Sequence, residues 1–71
     1  MSVMDVRRIV AKNVRKYRTA AKLTQREMAR RMRVDRTYIS GLEKGSRNVT
    51  IETLAQAAKA LRVKVARLLE E

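Results

Sequence analysis

The apolar residues of this chain recur at intervals of three or four positions almost throughout, and no segment alternates apolar and polar residues for long. The first pattern is typical of amphipathic helices, whereas alternation is typical of half-buried strands. We therefore predict an all-α fold of five short helices, forming a single domain over residues 1–71. A domain of this length buries only about 60% of the surface of its unfolded chain, so a second subunit could complete a small core.

Two helix starts lie close together in the middle of the chain. Thr24 and Glu27 have the spacing of a capping box, in which each side chain accepts a hydrogen bond from a free backbone amide, and helix 2 is predicted to begin at Gln25. Asp35 is a second N-cap candidate and Gly45 is a C-terminal stop. Helix 3 therefore follows helix 2 after a turn of a few residues, which is the arrangement of a helix-turn-helix.

The remaining helices are placed by the same signals. Helix 1 is predicted over residues 5–20, with Ser2 as its candidate N-cap. Thr50 is the N-cap candidate of helix 4, whose predicted buried stripe consists of Ile51, Leu54, Ala57, Ala58 and Leu61. After a turn at Arg62, a short fifth helix carries the apolar residues Val63, Val65, Leu68 and Leu69.

Composition limits the chemistry that the domain can perform. The chain has no His and no Cys, and its carboxylates are scattered, so we expect no metal site, no cofactor, no catalytic residues and no enzymatic activity. It has 18 Lys and Arg against 7 Asp and Glu, a net charge of +11, which suits a polyanion such as nucleic acid. No apolar run approaches the ~20 residues of a membrane span, so we expect a cytoplasmic protein with no membrane partner.

Helix 3 has one face suited to a core and one suited to DNA. On a helical wheel, Ile39 and Leu42 point to the same side. The opposite arc, called the outer arc below, is polar, small and basic, and it holds Arg36, Thr37, Ser40, Gly41 and Lys44. Such an arc can enter a major groove, where Arg reads guanine and Thr or Ser donates or accepts hydrogen bonds.

Two residues of helix 3 have alternative interpretations. A glycine inside a helix lowers its stability, so Gly41 lets DNA approach closely, lets another helix or a second subunit pack there, or is simply tolerated. Tyr38 lies between the two arcs, and either its hydroxyl reaches a DNA phosphate or its ring packs on the protein surface.

These motifs resemble those of a known family. The sequence TQREMA at residues 24–29 is followed by VDRTYISGLEKG at residues 34–45 and by SRNVT at residues 46–50. Over nearly its whole length the chain is similar to the Xre/Cro/CI helix-turn-helix regulators, and within that family it most resembles the controller proteins of restriction-modification systems. The resemblance implies a lambda-repressor-like fold and binding to double-stranded DNA.

The resemblance also implies roles for single residues. Base edges would be contacted by Arg36, Thr37 and Ser40. DNA phosphates would be contacted by Gln25, Arg47 and Asn48. From their places on helix 3, Tyr38 and Lys44 are assigned to phosphate contacts as well. An internal ion pair would join helix 1 to helix 3 through Arg18 and Glu43, which each flank an apolar stripe.

Two residues depart from the family pattern at turns. Arg33 and Arg62 stand where the family usually has Gly or Asn, at positions that commonly need a positive φ. Either these residues are strained or the turns differ. Arg33 has two interpretations, as a further phosphate contact or as a solvated turn residue.

The function predicted from the sequence is a homodimeric, sequence-specific transcriptional regulator. Its two recognition helices would lie about 34 Å apart and read the half-sites of a pseudo-palindromic operator. The predicted dimer interface is the set of C-terminal apolar residues Leu61, Val63, Val65, Leu68 and Leu69, although all five could instead belong to the core. Such a dimer would repress by occluding a promoter or activate by contacting RNA polymerase.

Two other functions are compatible with parts of the sequence. An antitoxin, or another protein-interaction module of a toxin-antitoxin or prophage system, would bind a partner protein through the C-terminal apolar residues, with DNA binding secondary. A basic amphipathic membrane binder would leave the capped helix-turn-helix unexplained, and an aromatic content of 3% does not favour it.

Overall fold

Five helices follow one another, with no strand among the residues that the structure describes. They are α1 (Val3–Ala20), α2 (Gln25–Met32), α3 (Arg36–Lys44), α4 (Ile51–Leu61) and α5 (Val65–Leu68). The computed structural model describes the backbone of residues 3–71 and the side chains of residues 6–71, so the predicted cap at Ser2 lies outside the described residues. The all-α prediction is confirmed, and α1 begins slightly earlier than predicted.

Side chains close the starts of α2 and α4. Thr24 Oγ1 accepts a hydrogen bond from the Glu27 amide at 3.0 Å, and Glu27 Oε1 accepts one from the Thr24 amide at 2.9 Å, which completes the capping box. Thr50 Oγ1 accepts a hydrogen bond from the Thr53 amide at 3.0 Å. Asp35 has the extended backbone of an N-cap, but its side chain makes no capping hydrogen bond. The start of α3 is therefore set by backbone geometry rather than by that carboxylate.

Three turns place a basic residue in the left-handed region of φ. The φ angle is 59° at Lys22, 59° at Arg33 and 58° at Arg62. This conformation costs a residue other than glycine about 1–2 kcal/mol. The amides of Arg33 and Arg62 each donate to carbonyls of the preceding helical turn, which have no partner within the helix, and these bonds offset the cost. Arg33 and Arg62 therefore adopt the left-handed C-cap geometry that glycine usually provides at the end of a helix.

The core forms where α1, α2 and α3 meet, and α4 and α5 close it. Its largest fully buried side chains are Val10, Val14, Met28, Ile39, Leu42 and Leu68. Because α3 packs against both α1 and α2, its inner side is held from two directions while its outer arc remains at the surface.

The C-terminal apolar residues divide between core and surface. Leu61 and Leu68, assigned from sequence to a dimer interface, are 6% and 0% exposed, because α5 packs against α1 and α4 and directs Leu68 inwards. Val65 and Leu69 are 39% and 44% exposed. The prediction that Ile51 is buried is wrong: it is 84% exposed, since all the buried residues of α4 lie in its second half.

A buried polar side chain ties α5 to α1. Asn13 is 4% exposed, and its Nδ2 donates to the carbonyl oxygens of Leu68 at 3.0 Å and of Glu70 at 2.7 Å. Carbonyls at the end of a helix have no partner within it, and a helix as short as α5 is marginal on its own. The position of α5 therefore depends on Asn13 and on the burial of Leu68.

We expect Asn13→Ala to lower the free energy of unfolding by about 1–3 kcal/mol, because one buried and one partly buried carbonyl would lose their donor. Urea denaturation followed by circular dichroism measures this change. Lys12→Ala, at the exposed neighbouring position of α1, is the matched control and should change stability by less than about 0.5 kcal/mol. Equal effects of the two substitutions would contradict this role for Asn13.

Candidate nucleic-acid interface

An ion pair between Arg18 and Glu43 holds α3 against α1. Arg18 Nε lies 2.5 Å from Glu43 Oε2, and Arg18 Nη2 lies 3.0 Å from Glu43 Oε1, so the pair is bidentate. Arg18 Nη1 also donates to the carbonyl oxygen of Leu23 at 2.7 Å. The two side chains are 12% and 5% exposed. The hydrogen bonds to Glu43 raise the pKa of Arg18, so the guanidinium stays charged.

A second set of hydrogen bonds extends this ion pair to the first residue of α3. Gln25 Nε2 donates to Glu43 Oε1 at 3.2 Å, which fixes the orientation of the Gln25 amide. Gln25 Oε1 then accepts a hydrogen bond from Arg36 Nη1 at 3.4 Å. The starts of α2 and α3 are therefore linked, and the Arg36 guanidinium is held beside both of them.

The predicted base-contacting residues lie at the surface on the outer arc of α3. Arg36 and Thr37 are exposed, and Ser40 is half-buried. Lys44 follows at the exposed end of the helix. Glu43 adds no free negative charge to this surface because Arg18 pairs with it. The contacts of these residues with DNA stay a prediction.

Tyr38 packs between α3 and α4. Its hydroxyl lies 3.1 Å from Thr53 Oγ1, and its ring packs against the core. Thr53 Oγ1 also lies 3.0 Å from Thr50 Oγ1, so the Tyr38 hydroxyl belongs to a small network at the start of α4. The structure thus favours the packing interpretation of Tyr38, and any phosphate would have to share a hydroxyl that already has a partner.

The loop after α3 carries two exposed residues with partners elsewhere in the chain. Asn48 Oδ1 accepts a hydrogen bond from Arg7 Nη2, which ties the loop to α1. The Arg47 guanidinium carbon lies 5.3 Å from the centre of the Tyr38 ring, in cation–π geometry. Arg7 was not predicted as a site residue, because nothing in the sequence distinguishes it from the other basic residues on the polar side of helix 1.

The arrangement suits an anionic duplex. The linked starts of α2 and α3 bring the positive ends of two helix dipoles to one surface. Arg36, Lys44 and Arg47 add three exposed cations to this surface. Phosphates can therefore be bound at its edges while the outer arc faces base edges.

Among the described residues no His, Cys, Asp or Glu side chains are grouped as metal ligands. None of the helices in this part of the chain is both long and apolar enough to cross a membrane.

Comparison with known proteins gives consistent matches. A helix-turn-helix family model matches residues 14–68. The control protein C.SmaI of Serratia marcescens is 46% identical over 66 residues, which cover 93% of this chain and 79% of that protein. The crystal structure of the hypothetical transcription factor NHTF from Neisseria has a TM-score of 0.89 at 33% identity, covering 99% of this chain and 80% of that one.

A restriction-modification controller protein also matches in structure. The crystal structure of C.AhdI from Aeromonas hydrophila has a TM-score of 0.83 at 32% identity, and the match covers 87% of this chain and 94% of that one. The match to the helix-turn-helix family model, over residues 14–68, includes the motifs at residues 24–29 and 34–45 on which the resemblance in sequence depends.

We expect Glu43→Ala to lower the free energy of unfolding by about 3 kcal/mol, because Arg18 would remain largely buried without a carboxylate. Thermal and urea unfolding measure the loss. Glu70→Ala, which removes the exposed ion pair with Arg67 at 3.4 Å, is the matched control and should cost less than about 1 kcal/mol. Preserved stability of Glu43→Ala with lost DNA specificity would assign Glu43 to recognition instead.

The capping box at α2 should make stability depend on acid pH. The amide and side-chain hydrogen bonds of Thr24 hold the pKa of Glu27 below its ordinary value of 4.5. A carboxyl whose pKa is lower in the folded state stabilises that state above its unfolded pKa, and this contribution is lost as the pH falls through the folded pKa. The difference in the free energy of unfolding between the wild type and Glu27→Gln should therefore stay constant near neutral pH and become smaller below about pH 4.5. Thermal unfolding from pH 7 to pH 3 measures it, and a difference that widens in acid would contradict the assignment.

Proposed function

The chain belongs to the helix-turn-helix family, and we propose that it is a transcriptional regulator of the restriction-modification controller type, which binds a pseudo-palindromic operator as a homodimer. The observation that carries this proposal is the exposed outer arc of α3, polar and basic, held from behind by the ion pair of Arg18 and Glu43. The likeness to the control protein C.SmaI supports the controller type.

In the proposed complex, α3 enters the major groove. Arg36 donates two hydrogen bonds to guanine O6 and N7, and Thr37 and Ser40 contact neighbouring base edges. Phosphates are contacted by Gln25, Lys44, Arg47 and Asn48, whereas Tyr38 packs against the start of α4 and orients Arg47. These phosphate contacts fix the register of the protein on the duplex, and the base contacts supply the sequence preference.

The proposed dimer uses the C-terminal end of the domain. Of the five apolar residues assigned to an interface, Val65 and Leu69 are exposed and Val63 is half-buried. A second copy would cover these side chains and place two α3 helices about 34 Å apart, which matches successive turns of the major groove on one side of the duplex. Depending on its site, such a dimer would block a promoter or contact RNA polymerase there.

Selection of duplexes from a random pool, followed by fluorescence anisotropy in increasing salt, tests DNA binding. A dimer making about 6–10 phosphate contacts should lose about 10³–10⁵ in affinity between 50 and 200 mM salt while keeping its preferred sequence. Arg36→Ala should relax the preference at one base pair per half-site by about 1–3 kcal/mol. Lys59→Ala, an exposed cation on the second half of α4, is the control and should leave the preference unchanged. A wild-type protein with no preference over random DNA would contradict the proposed function.

Leu69→Glu should weaken self-association at least tenfold, because it places a charge among the apolar side chains that a second copy would bury. Sedimentation equilibrium measures the association. Ala20→Glu adds the same charge at an exposed position at the end of α1 and should leave association unchanged. If Leu69→Glu associates as the wild type does, the interface lies elsewhere.

A further inference from the structure

Gly41 lies inside α3 at a position where the backbone does not require glycine. The described glycine with a positive φ is Gly45, at the end of the helix, whereas Gly41 has the ordinary conformation of a helical residue. An alanine would stabilise a helix more at such a position, since glycine has more backbone freedom to lose on folding. The presence of Gly41 therefore calls for a reason other than backbone geometry.

The space that a side chain at Gly41 would fill is occupied by Arg47. A Cβ atom built on Gly41 would lie 3.0 Å from both Cγ and Nε of Arg47, and 3.4 Å from Ser46 Oγ. The first two distances are shorter than ordinary van der Waals contacts between such atoms. The Arg47 side chain thus crosses the backbone of α3 at the one residue of the outer arc that has no side chain.

Further contacts keep Arg47 in this orientation. Its guanidinium lies over the ring of Tyr38, whose hydroxyl is hydrogen-bonded to Thr53 on α4. The loop that carries Arg47 is closed onto α3 because the amide and the hydroxyl of Ser46 each donate to the Gly41 carbonyl at 3.1 Å. These contacts favour one position of the guanidinium although Arg47 is exposed.

We propose that Gly41 is a positioning residue for DNA binding, which leaves the gap that Arg47 needs to lie across α3 and against Tyr38. This inference rests on the proposed function. A long arginine side chain loses rotamer freedom when it binds, and an arginine already ordered in the free protein loses less of it. Gly41 thus increases affinity through Arg47, without contacting DNA itself.

A double-mutant cycle tests this role with a duplex selected by the wild-type protein. Gly41→Ala should weaken binding about three- to tenfold, the range expected for ordering one long side chain, while its thermal midpoint stays equal or rises. In an Arg47→Ala background, the same change at Gly41 should alter the affinity less than about twofold, because the side chain that it displaces is gone.

Several outcomes would overturn the proposal. These are wild-type affinity of Gly41→Ala, an equal loss with and without Arg47, and a lowered thermal midpoint of Gly41→Ala. A protein that selects no duplex would instead overturn the proposed function.

A measurement without DNA keeps the two proposals separate. The Nε–Hε resonance of Arg47 in a ¹⁵N-labelled protein should carry a ring-current shift from Tyr38 and lose it in Gly41→Ala. An unchanged resonance would refute the positioning role whatever the protein binds.

Discussion

The carboxylate of Glu43 is the point at which three helices of this domain are joined. It receives two hydrogen bonds from Arg18 on α1 and one from Gln25 on α2, while its own backbone belongs to α3. Both charges of the ion pair are largely removed from water, so either one left alone would be costly. The orientation of α3 is therefore fixed by electrostatics as well as by packing.

The features that could be predicted from sequence are those determined by local chemistry. The capping box of Thr24 and Glu27 sets the start of α2, and Gly45 sets the end of α3. Each signal involves residues close together in the chain, so it can be recognised in a short stretch of sequence. The tie from Asn13 to Leu68 spans 55 positions, and no local pattern distinguishes this asparagine from a solvated one. Periodicity likewise identifies the apolar side of α4 but not how far the core extends along it, which is why Ile51 was misplaced.

The candidate interface likewise has features that follow from local sequence and features that only the structure shows. The outer arc of α3 follows from a helical wheel, but the partners of its residues do not. Tyr38 contacts Thr53 and Arg47 crosses Gly41 because the loop after α3 folds back, and no local sequence pattern predicts that path. The glycine itself was recognisable as unusual from its place in a helix, and the structure supplied the side chain that occupies its space.

Both surfaces of the proposed complex, the one that binds DNA and the one that binds the second copy, are anchored on α1, and this would have a consequence for the DNA. Asn13 holds the segment with Leu69 and Arg18 holds α3, and these two residues are separated by about 7.5 Å along the axis of α1. In the proposed dimer, each protomer would act as a rigid spacer between the two-fold axis and the major groove. An operator whose half-sites were misplaced by one base pair would have to bend or untwist to fit. The stiffness of central base pairs that the protein never touches would then contribute to selectivity.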